Sequence, residues 1–237
     1  MGKLIGAELL IFGSFLISSI AGFAGAAFAV PLTAGIVGLS NARCAVNIIS
    51  IAFNSSIVYQ QRKKIKLKEI IPILALACAG MMLGFILNNY IKSDDFLTKI
   101  LGGIILVIAV MRILLKKEIK LNKITSIVII LISGVVNYLF LCGGIILVLY
   151  MSQRYREKDA FRGNNGFLFG VQSIIMLFIQ ASRGMYNQQN IMIGLCGIVP
   201  VILATYIGKI ILKKISQETF EKVTYWLLLV MAIMLIF

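Results

Sequence analysis

The sequence predicts an all-α polytopic membrane protein made of two homologous four-segment repeats. The repeats are inverted relative to each other, and each begins with a broken or re-entrant helix. Three observations lead there. Of the 237 residues 60% are hydrophobic and only 14% charged, against about 25% charged in a typical soluble domain, and mean hydropathy is +0.99. Apolar stretches near the ~20 residues that span a bilayer recur from end to end. Lys and Arg gather in the short loops between them.

The apolar segments cover 4–39, 44–59, 70–90, 96–115, 124–151, 161–181, 190–212 and 219–237. The first imitates a signal peptide, with Lys3 ahead of it and Gly25-Ala26-Ala27 resembling a cleavage site. Its apolar character runs on through Leu39, beyond a signal h-region, so it is expected to be retained. It is also too long for one ordinary span, and Gly22, Gly25 and Pro31 are expected to interrupt it. Cys142-Gly143-Gly144 interrupts the fifth segment in the same way. Matching interruptions in two halves mark discontinuous helices whose ends form a binding site.

The halves correspond at a shift of about 118 residues, which aligns Gly25 with Gly143, Asn47 with Asn165, Ser55 with Ser173 and Asn54 with Gln172. Further on the shift is about 124, aligning Gly84 with Gly208. The chain therefore reads as one transmembrane domain over 1–237, with repeats at 4–117 and 124–237.

Charge chooses between topologies. If every segment crosses, the 23 Lys and Arg divide 12 to 11, without the asymmetry that cytoplasmic loops normally carry. If segments one and five turn back, Lys3, Arg43, Lys92, Lys99 and Arg183 face one side and the other 18 face the cytoplasm. Six crossings remain, three per repeat, and an odd number inverts the repeats. Both termini then face outward.

The net charge of +14 would suggest nucleic acid on a soluble protein. Here it follows topology, so the expected partners are the lipid bilayer and a small anionic solute, with no nucleic acid, and a homodimer left open. An anion in a low-dielectric site needs hydrogen-bond donors or positive charge. Gly25, with Ala26 beside it, and Gly143-Gly144 can offer backbone N–H groups at half-helix N-termini. Asn47, Asn54 and Ser55 in one half, and Asn164, Asn165, Gln172 and Ser173 in the other, are candidates to line the path. Asn47 and Asn54 lie seven apart, on one helix face. Arg43 and Arg162 are near-counterparts expected at opposite mouths, as anion attractors or interfacial residues. Gly80xxxGly84 and Ala204xxxGly208 read as close-contact faces.

There is no His, and Cys44, Cys78, Cys142 and Cys196 form no CxxC pair, so neither a metal nor a cofactor is expected. No HExxH motif or buried carboxylate pair supports a membrane enzyme. A membrane scaffold or assembly factor is the alternative to transport. Of the nine acids only Glu8 lies inside an apolar segment, so transport is expected to follow the anion's own gradient or to carry a protonated substrate.

The stretch Ile20-Ala-Gly-Phe-Ala-Gly-Ala-Ala-Phe-Ala-Val-Pro-Leu32 resembles the glycine-rich signature of the sulfite exporter TauE/SafE family, the toluene sulfonate uptake permeases. Its second-half counterpart is Leu141-Cys-Gly-Gly-Ile-Ile-Leu-Val148, and Gln61-Arg-Lys-Lys64 and Gly80–Gly84 also fit. The sequence departs from the family pattern at Ala26 and Ala27, where glycine is usual, and lacks a second-half proline matching Pro31. The resemblance implies a bacterial plasma-membrane permease for sulfite, sulfonates or related sulfur-containing anions. A Cys142 thiol beside the second break could then engage such a substrate.

Overall fold

The computed structural model describes residues 2–22, 25–88 and 121–216, with 106, 218, 219, 222, 226, 229, 230 and 233 besides. All of segment 96–115 but Leu106, an N-cap expected at Ser93 ahead of Asp94-Asp95, and most of segment 219–237 lie outside the described residues. Among the described residues every regular element is helical.

The first apolar segment is a hairpin of α1 (Gly2–Ala21) and α2 (Gly25–Val37). α1 stops at Gly22, whose φ of 80° is left-handed backbone that glycine adopts freely. The Gly22 amide donates to the Ser18 carbonyl at 2.7 Å. α2 then runs back along α1, so that Gly25 lies against Phe15 and Ser18, and Gly6 near Ile36. Pro31 sits inside α2 without interrupting it. A helix packed among others tolerates a proline because its neighbours re-satisfy the freed carbonyl.

The fifth segment breaks likewise. α5 (Lys123–Phe140) ends at Leu141 and α6 (Gly144–Arg154) follows. Leu141 takes φ 57°, where a non-glycine residue is uncommon, and its amide donates to the Asn137 carbonyl at 2.9 Å. At 13 and 11 residues, α2 and α6 measure about 20 and 17 Å, too short for a ~30 Å hydrocarbon core.

The remaining elements are α3 (Leu39–Gln61), a 3₁₀ turn (Arg62–Lys64), α4 (Leu67–Leu87), α7 (Lys158–Ser182), α8 (Gln188–Cys196) and α9 (Ile198–Lys214). α8 and α9 meet at Gly197 and together make one span, Gln188–Lys214. Among the described residues five stretches are long and apolar enough to cross a membrane: this span, α3 extended to Lys64, α4, α5 and α7.

α3 and α7 form the central pair and run antiparallel. Gly163, Gly166 and Gly170 of α7 face Gln61, Ile57 and Asn54 of α3 in turn. These glycines, three and four apart, put backbone against side chain with nothing between. The flanking pairs run parallel. Gly80 and Gly134 bring α4 and α5 together, with Gly84 of α4 against Val135 and Tyr138, while Gly208 of α9 meets Ser19 of α1. Both small-residue motifs read from the sequence are therefore close contacts.

Charge separates the two ends of the bundle. At one end Lys64 pairs with Glu157 at 2.7 Å and Arg154 with Glu69 at 2.9 Å, and Lys158 donates to the Leu212 and Ile215 carbonyls closing α9. At the other, Asn41 bonds Asn187 and Asn190, where Asn187 caps α8, and Arg183 lies 4.5 Å above the Phe85 ring.

The packing sets a test. A Cβ at Gly80 would overlap the Leu131 carbonyl, whereas one at Gly35 meets nothing within 4 Å. Gly80→Ala is expected to destabilise by about 1–3 kcal/mol through overpacking, and Gly35→Ala to be neutral or slightly stabilising. Thermal unfolding in detergent reads the difference.

Candidate functional site

A cavity of about 50 Å³ lies between the two helix breaks. One water takes roughly 10–15 Å³ on a comparable scale, so the space suits a few water-sized groups. Gly22, Gly25 and Ala26 form one wall, and Leu141, Cys142 and Gly144 another. Its polar side chains are Ser18 of α1, Ser50 and Asn54 of α3, Asn137 of α5 and Ser173 of α7, and Phe15, Phe53 and Phe169 complete it. Phe15 and Phe53 meet edge to face at 5.0 Å. Every one of the polar five is buried.

Two features make this environment suited to negative charge. α2 starts at Gly25 and α6 at Gly144, so the partial positive charge of two helix N-termini points at one space. The side chains around it are neutral amides and hydroxyls that donate hydrogen bonds. The Cys142 thiol is free and buried.

Of the residues picked from the sequence, Gly25, Ala26, Asn54, Cys142, Gly144 and Ser173 line the cavity. Three others form a second ring that holds lining groups in place. Gln172 Oε1 accepts from Asn137 Nδ2 at 3.0 Å. Asn47 Nδ2 donates to the Ser173 carbonyl at 3.1 Å and to Gln180 Oε1 at 3.2 Å. Asn165 Nδ2 reaches the Gly22 carbonyl at 3.5 Å.

The remaining picks stand elsewhere. Ser55 is exposed, because its neighbour Asn54 takes the inward position and adjacent helix residues point about 100° apart. Asn164 clamps the turn after α3, accepting from the Lys66 amide at 3.0 Å and donating to the Ala160 carbonyl at 2.7 Å. Gly143 is a packing glycine, since a Cβ there would overlap the Ser133 carbonyl.

The arginines also lie deeper than mouth positions. α3 begins at Leu39, so Arg43 is in its second turn, half-buried, with Nη2 donating to the Tyr138 carbonyl at 3.0 Å. Arg162 is 1% exposed, and Nε, Nη1 and Nη2 have no hydrogen-bond partner among the described residues. Its stem lies against the Gly22 turn, where an added Cβ would stand 2.7 Å from Arg162 Cγ. Glu8 turns both carboxylate oxygens into the packing, unbonded among the described residues, with Oε2 facing Gly197.

Sequence reasoning did not select Ser18, Ser50 or Asn137. For Ser18 and Asn137 the register explains why, and Ser50 stands 119 residues from the apolar Phe169, so no polar counterpart marks it. Four pairs of lining residues stand 119 apart in the sequence, Ser18 and Asn137, Gly22 and Leu141, Gly25 and Gly144, and Asn54 and Ser173, and Arg43 and Arg162 share the spacing. A shift of 118 favours identical letters and misses these pairs by one residue.

Residues 8–235, nearly the whole chain, match the family described as sulfite exporter TauE/SafE. No curated protein and no solved structure matches the chain. The architecture is that of a multi-pass membrane protein, with five candidate spans among the described residues. The chain belongs to the sulfite exporter TauE/SafE family.

Proposed function

We propose that this protein carries a small sulfur-containing oxyanion, such as sulfite, thiosulfate or a compact sulfonate, across the bacterial plasma membrane through the cavity between the two breaks. The observation that carries this reading is the convergence of the α2 and α6 N-termini on one buried space lined by Ser18, Ser50, Asn54, Asn137 and Ser173. A scaffold needs no such polar interior. The family's described export activity supports a transporter over a scaffold or an enzyme. Cavity size favours an anion of few heavy atoms over an aryl sulfonate.

The same reading gives the topology. The parallel pairs α1–α9 and α4–α5, and the antiparallel pair α3–α7, support two inverted repeats related by the 119-residue register. α2 and α6 are the re-entrant halves. The end rich in Lys and Arg faces the cytoplasm, as the positive-inside rule requires, and both termini face outward.

Proteoliposome flux of radiolabelled sulfite tests the function, with sulfite-dependent thermal stabilisation in detergent as the equilibrium readout. Gly144→Leu fills the cavity and is expected to abolish flux while leaving membrane insertion and assembly intact. Gly143→Leu is expected to lower stability as well, because its side chain would drive α6 off the Ser133 carbonyl. Normal flux in Gly144→Leu would remove the proposed site.

Transport follows the anion's own gradient or carries the protonated anion. Glu8 sits seven residues before Phe15, the first α1 residue lining the cavity, about 10 Å along the helix. In pH-clamped vesicles Glu8→Gln is expected to support flux at the wild-type rate. Strict coupling to one inward proton, lost in Glu8→Gln, would contradict this.

A further inference from the structure

We infer that Arg162 is the substrate's counter-charge: an oxyanion site one layer beyond the cavity, on the route between the Gly22 turn and the basic end of the bundle. The inference rests on the anion-transport reading above and extends it to a specific cation.

Burying a guanidinium is unfavourable by several kcal/mol unless its charge and its donors are answered. Arg162 is buried, and all three of its guanidinium nitrogens lack a hydrogen bond among the described residues. The one acid on its own helix, Asp159, three residues back, acts on Arg162 through its charge but gives the fork no hydrogen bond, and its Oδ1 accepts from Gln61 Nε2 at 3.0 Å. The C-terminus of α1, ending at Ala21, brings partial negative charge close to the arginine. Those carbonyls supply about half a charge at most, and they leave the planar fork unsaturated. A tetrahedral or pyramidal oxyanion presents two oxygens to that fork and satisfies charge and geometry together.

Position supports the same assignment. Arg162 packs against Gly22, whose backbone lines the cavity. It lies one turn into α7 from Lys158, which belongs to the basic end through its bonds to the end of α9. An anion leaving the cavity toward the basic loops passes this side chain. Asn165 stands one turn further along α7, holds the Gly22 carbonyl through Nδ2, and leaves Oδ1 without a partner among the described residues. The turn, the amide and the guanidinium thus form one buried polar cluster beside the cavity.

The test is sulfite binding to the purified protein by calorimetry and by sulfite-dependent thermal stabilisation. Removing a charge-assisted hydrogen bond worth about 1.5–3 kcal/mol corresponds to roughly tenfold or more in Kd. Arg162→Lys keeps a cation but loses the fork, and its sulfite Kd is expected to rise about tenfold. Arg162→Gln is expected to lose sulfite stabilisation altogether. Arg62→Gln, which removes an exposed guanidinium from the basic turn, controls for net charge and is expected to bind as wild type does. Should Arg162→Gln fail to assemble, the Arg162→Lys titration decides alone. Wild-type sulfite affinity in Arg162→Lys overturns the assignment while leaving the cavity reading intact. A wild-type protein that neither binds nor transports sulfite, thiosulfate or a compact sulfonate overturns the cavity reading itself.

Discussion

A bilayer core offers no water to an unpaired backbone amide or carbonyl, so a helix can be interrupted there only where other protein covers the break. This chain interrupts two. Gly22 and Leu141 turn α1 and α5 with left-handed backbone, and the half-helices that follow are folded back rather than exposed. The covering is provided by α3 and α7, whose contact along Gly163, Gly166 and Gly170 is close enough to bury Asn47, Asn54, Asn165 and Gln172 beside the turns. The cavity is what remains between the two turns, and its polarity follows from the groups that satisfy them.

That dependence explains the second ring. Gln172 holds Asn137, Asn47 holds the Ser173 backbone, and Asn165 holds the Gly22 carbonyl. Each is an amide in a membrane helix, where unsatisfied polarity is expensive, and each contributes by orienting a lining group. A glycine-led turn with amide braces is a pre-organised arrangement. Its donors would need little rearrangement to receive the proposed anion.

Much of this was legible in the sequence. Clustered glycines at Gly22–Gly25 and at Gly143–Gly144 gave the position of both breaks, and long apolar segments gave the membrane class. The exact register was not legible, because identical letters align at 118 while paired cavity-lining residues stand 119 apart. Leu141 illustrates the difficulty: it occupies the place of Gly22, yet nothing in a leucine announces left-handed backbone. The one-residue error paired Ser173 with the exposed Ser55 instead of Asn54, which lines the cavity. Helix starts were also hidden. α3 begins five residues before its apolar run does, which carries Arg43 inward from the expected mouth. The burial of Arg162 depends on its packing against the other half of the chain, and local sequence holds no trace of that.

In the proposed function, two helix N-termini, at Gly25 and Gly144, offer backbone amides to one anion. Glycine-selective ¹⁵N NMR of the protein in nanodiscs observes those amides among the 21 glycines, with Gly25→Ala and Gly144→Ala giving the assignments. Titration with sulfite is expected to move the Gly25 and Gly144 resonances together and saturably. Sulfite binding that leaves both resonances in place would contradict the account.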